Sequence, residues 1–231
     1  MGKTIAIFKK QLKDTWHNKS VLLQFVLLPI LALVMGYLMP EDAMPKRSVA
    51  AMFTTMYVGM IPVSSICSII AEEREKGTLR ALRMANVSSG QYLIGIGSCL
   101  FVESLFGVAI FSVLGGFAGE ELVQYIGIAA SGVLTSLLIG ATLGLVAKNQ
   151  MSATSISAPV SIILSFVPTM ATMNEELAIV SKFLYTEQLN NLLRDIGNGP
   201  FTKECVVIIG SNIAIFCLAF ALIYRKKAIY I

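Results

Sequence analysis

Charged residues are scarce in this chain. Asp, Glu, Lys and Arg together make up 14% of its 231 residues, whereas 55% of the residues are hydrophobic. A soluble domain of this size carries close to a quarter charged residues, so the composition excludes an ordinary soluble enzyme. The net charge is only +4. Attraction to anionic lipid accounts for this basic excess, and no nucleic-acid partner is expected.

The sequence also lacks the residue patterns of most catalytic or metal sites. His17 is the only histidine, which excludes proteases that need paired histidines. The segment Gly2-Lys3-Thr4 lacks the earlier glycine of a P-loop. Four cysteines are scattered without metal-ligand spacing: Cys67, Cys99, Cys205 and Cys217. We therefore predict no catalytic residue and no metal site in this chain.

Six long apolar runs dominate the sequence. The hydrocarbon core of a bilayer is about 30 Å thick and needs roughly 20 apolar residues per helix. The predicted fold class is therefore all-α, a polytopic membrane protein with one transmembrane domain over residues 1–231. The six predicted spans are Ser20–Met39, Val49–Ala71, Gln91–Phe117, Val123–Ala147, Met151–Met173 and Val206–Tyr224.

Basic residues are distributed unevenly between the predicted loops. If the N-terminus lies in the cytoplasm, thirteen of the eighteen Lys and Arg residues fall on the cytoplasmic side and five fall outside. Loops rich in Lys and Arg favour the cytoplasmic side of a membrane. The sequence therefore predicts a multi-pass protein of the cell membrane with both termini in the cytoplasm.

Two segments outside the spans have amphipathic patterns. Residues 1–19 carry an apolar stripe at helical spacing: Ile5, Phe8, Leu12 and Trp16. This pattern predicts a helix in the membrane interface, with a short cytosolic helix as the alternative. The fifth loop, 174–203, is far longer than the usual helix connection. It predicts two short amphipathic helices on the outer side, which either dip into the outer leaflet or form a plain structured loop.

Small and hydroxyl side chains recur at every fourth position in two spans. Small residues in register let two helix backbones approach closely, and span four carries such a packing face: Gly132, Ser136, Gly140 and Gly144. Span five carries a hydroxyl stripe, Ser157, Ser161, Ser165 and Thr169. Single hydroxyls of this kind often bond to their own backbone. We interpret the complete stripe as lining a transport pathway, together with Ser64 and Ser68 of span two.

Glu103 lies near the middle of the third span. A carboxylate at the bilayer centre costs roughly 2.5–3.5 kcal/mol on insertion scales, so such residues face a protein interior or water. Two interpretations remain open. Glu103 is either a proton-binding site, or a neutral acid that forms a structural hydrogen bond.

A charged block separates the second and third spans, in the predicted cytoplasmic loop 72–90. Thr78 is predicted to cap a short helix in this loop. Leu79 and Leu82 would form the apolar edge of that helix. The residues predicted to contact a partner are Glu72, Glu73, Arg74, Glu75, Gly77, Thr78, Leu79, Arg80, Leu82 and Arg83.

The segment Glu73-Arg74-Glu75-Lys76-Gly77-Thr78-Leu79 resembles the E-R-E-x-G-T-L signature of the ABC transporter type 2 permease family. These proteins are the membrane subunits of many bacterial exporters. The resemblance extends to the basic N-terminal helix, the six spans and the long fifth loop. It implies a connecting helix over residues 1–19 and a coupling helix at the motif that fits a groove in an ATP-binding subunit. It also implies re-entrant helices before the last span and a dimeric pathway lined by spans two and five.

The function that the resemblance implies is export of an amphipathic or hydrophobic cargo, such as a drug, an antimicrobial peptide or a lipid-linked molecule. The chain itself would not be an enzyme and would hold no cofactor, because the partner subunit would bind ATP and Mg²⁺. The expected partners are an ATP-binding subunit, a second copy or a paralogous permease, and membrane lipid. Two alternatives stay open: a proton-coupled transporter that uses Glu103, and an immunity protein that only sequesters its ligand.

Overall fold

The computed structural model describes residues 2–38, 44–172, 174–197 and 203–227. These residues form ten α-helices and no strand, so the all-α prediction is confirmed. In chain order the helices are α1 (Gly2–His17), α2 (Lys19–Leu38), α3 (Lys46–Glu75), α4 (Thr78–Met84), α5 (Ser89–Leu114), α6 (Glu120–Val146), α7 (Gln150–Ala171), α8 (Glu175–Ser181), α9 (Tyr185–Arg194) and α10 (Lys203–Lys227).

Five of the described helices are long and apolar enough to cross a membrane: α3, α5, α6, α7 and α10. Helices α1 and α2 meet at an angle of 65° and make a sixth candidate when the bent pair is counted as one span. The prediction of a polytopic helical membrane protein is thereby confirmed. Residues 40–43 of the first predicted outer loop and residues 198–202 of the fifth loop lie outside the described residues.

Helix α3 is longer than the predicted span Val49–Ala71, because it begins at Lys46 and ends at Glu75. Loss of hydrophobicity marks where a helix leaves the membrane, but it does not end the helix. Glu and Arg are good helix formers, so the first four residues of the charged block continue α3. The helix ends where Gly77 adopts a left-handed conformation, with φ of +71°.

Polar caps start the helices that follow. The Ser88 hydroxyl accepts a hydrogen bond from the backbone of Gln91, whose side chain accepts one from the Ser88 backbone, so the pair forms a capping box at α5. The Asn149 side chain caps α7 by accepting from the Ser152 backbone, at 2.8 Å. The N-termini of α5 and α7 lie with α4 at one end of the bundle, which we call the α4 end. The opposite end is the α9 end.

Helix α3 lies at the centre of the bundle. In its most apolar stretch 72% of the residues are buried, compared with 6% in α10. Helices α2, α5, α6, α7 and α9 pack around it. Each helix that carries a predicted site residue therefore contacts α3 itself or contacts a helix that does.

Helices α8 and α9 form the predicted amphipathic pair before the last span, and α9 enters the bundle. The Tyr185 side chain is 1% exposed, and its hydroxyl bonds to the Ser136 hydroxyl of α6 at 2.7 Å. Leu189 packs at Gly132 of the same helix. Helix α9 thus packs within the bundle and is not a plain surface loop, while its re-entrant position in the membrane stays a prediction.

Candidate functional site

The charged block begins on the last turn of α3 and continues into α4. Helix α4 begins at Thr78, so Gly77 holds the position before its first residue. The prediction that Thr78 caps this helix is therefore wrong. The Gly77 carbonyl accepts from the backbone of Arg80, at 3.1 Å, and makes the first hydrogen bond of α4. A left-handed residue was required to turn the chain here, and glycine adopts that conformation without steric cost.

Glu73 points inward, towards α1. Its side chain is buried, and the Lys10 ammonium donates to its Oε1 at 2.6 Å. Its Oε2 is buried beside the Tyr92 hydroxyl of α5, and within the described residues neither atom has a hydrogen bond of standard geometry. Lys10 also lies 3.8 Å from Asp14 on its own helix. Glu73 thus ties α1 to α3, a role that its position in a charged motif did not indicate.

Arg74 and Glu75 hold the turn between α6 and α7. The Arg74 guanidinium donates to the carbonyl oxygen of Leu145, at 3.2 Å, and to that of Ala147. These are the acceptors that the end of α6 leaves without an intrahelical partner. The backbone N–H of Gln150, at the start of α7, donates to the Glu75 carboxylate at 2.9 Å. The two neighbouring charges thus match the opposite ends of two helices.

Among the described residues, Glu72 pairs only with Lys76, at the C-terminal end of its own helix. It lies one helical turn before Lys76, and their side chains form an ion pair on the surface. The hydrogen bond from Lys76 to Glu72 raises the pKa of the Lys76 ammonium. Since Lys76 is fully exposed, the ammonium is charged at neutral pH with or without this partner.

Helix α4 has one buried and one exposed face. Leu79 is 8% exposed and Leu82 is partly buried, so the predicted apolar edge faces the protein. Arg80 and Ala81 are exposed, and the Met84 side chain is 80% exposed. The side chain of Arg83 lies outside the described part of the chain. The outer face of α4, besides the surface pair of Glu72 and Lys76, is therefore accessible to a partner protein.

The N-terminal helix α1 supports α4 from one side. The Lys3 ammonium donates to the carbonyl oxygen of Asn86, at 2.7 Å, just after α4. Ile7 packs at Gly95 of α5, where a larger residue would clash. The stripe predicted to lie on the membrane is only partly covered by the described protein: Ile5 is 53% exposed and Trp16 is 68% exposed, whereas Phe8 and Leu12 are partly buried. The interfacial position of α1 stays a prediction.

The hydroxyl stripe of span five lies in the interface between α7 and α3. The side chains of Ser157, Ser161 and Ser165 are buried, and the Ser165 hydroxyl donates to the Met56 carbonyl of α3 at 3.0 Å. Thr169 is partly buried at the α9 end of the stripe. In this conformation the three serines are packed against a helix. Their predicted role in a pathway stays a prediction, and it requires that α7 moves away from α3.

Three methionines are among the few residues in the apolar part of α3 that are not buried. They were not singled out from the sequence. Between Val49 and Ala71 the residues of α3 that are not buried are Met52, Met56, Met60, Ser64, Ser68 and Ile69. We call the first five, which are spaced by four, the methionine–serine ridge. The Gln24 side chain of α2 donates to the Ser64 hydroxyl at 2.7 Å. The spacing of the methionines was visible in the sequence, but only the packing shows which stripe of α3 stays open.

The small-residue face of α6 packs on α3. The Ser136 hydroxyl donates to the Val58 carbonyl at 2.6 Å. A side chain at Gly140 would collide with the backbone of Val63, and one at Gly144 would lie about 3.2 Å from Cys67 backbone atoms. Close approach of two helix backbones requires residues of this size. The sequence indicated such a face, and the structure identifies α3 as the helix it meets.

Glu103 faces other helices of the bundle. It lies on α5, with its carboxylate beside Thr15 of α1 and Tyr57 of α3. The Cys99 thiol is 3.6 Å from Glu103 Oε1. The carboxylate is partly buried, and its Oε2 has no hydrogen bond of standard geometry within the described residues. This position avoids the cost of a carboxylate in lipid, and it leaves both interpretations of Glu103 standing.

Comparison with known protein families identifies the family of this chain. A family model described as ABC-2 family transporter protein matches residues 40–225, a range that includes the complete charged block, the methionine–serine ridge and α9. A comparison with curated proteins gave no match. The family match covers well over half of the sequence. The chain therefore belongs to the ABC-2 family of transporter proteins.

Proposed function

We propose that this chain is the permease subunit of an ATP-driven exporter and that a separate ATP-binding subunit docks on α4 from the cytoplasm. Family membership supports a transport role in general. The proposed docking of an ATP-binding subunit on α4 rests on one observation: the residues of the charged block have different surroundings. Glu73, Arg74 and Glu75 on α3 hold neighbouring helices, whereas the outer face of α4, with Arg80 and Met84, is exposed.

Force from the partner would enter at α4 and spread through α3. Helix α4 follows α3 after the short turn at Gly77, so a push on α4 moves the last turn of α3. That turn carries Glu73, Arg74 and Glu75, which hold α1, the end of α6 and the start of α7. Packed helices transmit such a displacement as a rigid-body shift. We therefore assign these three residues to transmission within the permease instead of direct contact with the ATPase.

The cargo would contact the methionine–serine ridge. Methionine is flexible and polarisable, so a methionine surface adapts to apolar molecules of different shape. Ser64 and Ser68 place hydroxyls towards the α4 end of the ridge, and Met52, Met56 and Met60 lie towards the α9 end. This gradient suits an amphipathic or hydrophobic cargo. A second permease, either another copy or a paralogue, would close the pathway from the open side.

Variants of two arginines distinguish docking of the ATP-binding subunit from transmission of its motion within the permease. Arg80→Glu reverses a charge on the exposed face of α4, so the ATP-binding subunit that co-purifies with the wild-type chain should be lost. Arg74→Gln removes the charged donor to α6, so docking should remain while ATP-driven transport in proteoliposomes falls. We expect at least about a tenfold loss in each affected quantity, which corresponds to one charge-assisted contact.

The exposed Arg225, at the end of α10, provides the matched control for charge reversal. Arg225→Glu should leave both docking and transport near wild type. If Arg80→Glu retains the ATP-binding subunit at the wild-type level, the docking surface has been placed incorrectly. If no ATP-binding protein accompanies the wild-type chain and transport proceeds without ATP, the proposed function is wrong.

A further inference from the structure

A polar cavity of about 570 Å³ lies between α1 and the end of α3. It opens beside the ion pair of Lys10 and Glu73 and extends to the start of α2. Its ionisable lining consists of three basic and three acidic residues besides one histidine: Lys10, Lys19, Lys76, Asp14, Glu72 and Glu73. The transmission role described above uses the Lys10–Glu73 pair, but it does not account for the cavity.

The positions of the apolar runs predict that the cavity lies at the depth of lipid headgroups. Helix α3 carries its last apolar residues at Ile70 and Ala71, and α2 starts its apolar run after Lys19. Ile69 lines the cavity on the side of the apolar layer, whereas Lys76 and Thr78 line it on the opposite side. Trp16, with 68% of its side chain exposed, is at the same junction, and tryptophan prefers the membrane–water interface.

The equal numbers of basic and acidic residues that line the cavity favour one kind of ligand. An anionic group would meet three carboxylates in this cavity, and a cationic group would meet three ammonium groups. A molecule that carries both charges can pair each with its opposite. Glu73 lines the cavity with a side chain that is 10% exposed, and its Oε1 accepts from the Lys10 ammonium at 2.6 Å. Asp14 and Glu72 supply further acceptors at the rim, with side chains 56% and 36% exposed.

We propose that this cavity binds the headgroup of a zwitterionic phospholipid that carries a primary ammonium, such as phosphatidylethanolamine. The ammonium would donate hydrogen bonds to the carboxylates of Asp14, Glu72 and Glu73. The phosphate would accept from Lys19 and Lys10, and the acyl chains would pass Ile69 into the bilayer. A trimethylammonium headgroup has no N–H donor, so it satisfies the same carboxylates less well. The lipid would thereby join α1 to α3 at the point where the coupling motion passes.

The test measures lipid retention by the purified full-length chain without any ATP-binding subunit. Native mass spectrometry would compare phosphatidylethanolamine, phosphatidylcholine and phosphatidylglycerol of matched acyl chains at equal concentration. We expect about a tenfold preference for phosphatidylethanolamine, the factor that one charge-assisted hydrogen bond supplies. Asp14→Asn should reduce that preference to near unity, and Lys19→Gln should weaken retention of all three lipids.

Matched controls lie outside the cavity. Asp195→Asn, at the end of α9, and Lys9→Gln, on the exposed side of α1, remove the same charges at exposed positions. Both should behave like the wild type. Thermal unfolding of each variant without added lipid checks its fold. If Asp14→Asn unfolds early, Glu72→Gln replaces it, because among the described residues Glu72 pairs only with Lys76.

Three results would overturn the proposal. The first is equal retention of phosphatidylethanolamine and phosphatidylcholine by the wild type. The second is competition by free phosphoethanolamine as strong as by the lipid, which would indicate a soluble ligand. The third is an Asp14→Asn variant that keeps the full preference for phosphatidylethanolamine over phosphatidylcholine. None of these depends on whether transport is driven by ATP.

Discussion

At the scale of single residues, Glu73 is distinguished from the adjacent Glu72 by its burial. Glu73→Gln should lower the free energy of unfolding by about 1–3 kcal/mol, because the neutral amide loses the carboxylate's attraction to the Lys10 ammonium. Glu72→Gln is the control, since its pair with Lys76 is exposed to solvent and such pairs add little to stability. Unfolding in mixed SDS micelles measures both. Equal effects would contradict the inward role of Glu73.

Glu103 also gives a prediction at this scale. If it is a structural acid, Glu103→Gln should transport almost normally, because the amide keeps the shape and a donor near Thr15 and Cys99. Glu103→Leu should then lose about 1–3 kcal/mol of stability, since it leaves polar neighbours without a partner. The measurement is ATP-driven transport in proteoliposomes without a pH gradient. A Gln variant that folds but does not transport, beside a stable Leu variant, would instead identify a proton site.

At the scale of helices, the interface between α3 and α7 decides the role of the serine stripe. Ser161 is 1% exposed, so Ser161→Phe should overpack the interface at roughly 1–3 kcal/mol and lower the yield of protein. Ala158→Phe, on the exposed side of the same helix, should leave the yield unchanged. Membrane expression and thermal unfolding compare the two. Normal yield with altered cargo selection in Ser161→Phe would show that this stripe lines the pathway.

At the scale of helices, the spacing of residues does not by itself show which stripe of a helix is buried. The spacing of Ser157, Ser161 and Ser165 resembles that of Met52, Met56 and Met60, so both sets were visible as stripes. Hydroxyl chemistry favoured the serines as a pathway. The structure buries the serines and leaves the methionines open, because α7 packs along α3 on the side where small residues permit close approach.

At the scale of the whole molecule, the orientation in the membrane follows from the distribution of Lys and Arg. In a background without the four native cysteines, Cys at position 175 should react with an impermeant thiol reagent added to intact cells. Cys at position 148 should react only after the membrane is opened. Glu175 and Lys148 are both exposed in the structure, so accessibility to water is matched. The reverse labelling pattern would place α4 outside the cell and remove the basis for an ATPase partner there.

The sequence alone was sufficient for the helical class, the approximate spans, the amphipathic segments and the resemblance to ABC-2 permeases. These properties depend on local hydrophobicity, on helical periodicity and on a short motif, all of which can be read from neighbouring residues. The ends of helices were less accurate. The charged residues 72–75 were expected in a loop but continue α3, because helix propensity and membrane depth are separate properties.

Only the tertiary structure decided what the charges of the motif contact. Glu73, Arg74 and Glu75 are adjacent in sequence, yet they meet α1, the end of α6 and the start of α7, whose residues lie up to 75 positions away. Successive residues of a helix point about 100° apart, so three neighbouring side chains necessarily face different surroundings. Which helices occupy those directions depends on how the whole bundle packs around α3. For that reason the sequence located the charged block, and packing determined which of its residues contact neighbouring helices and which remain exposed.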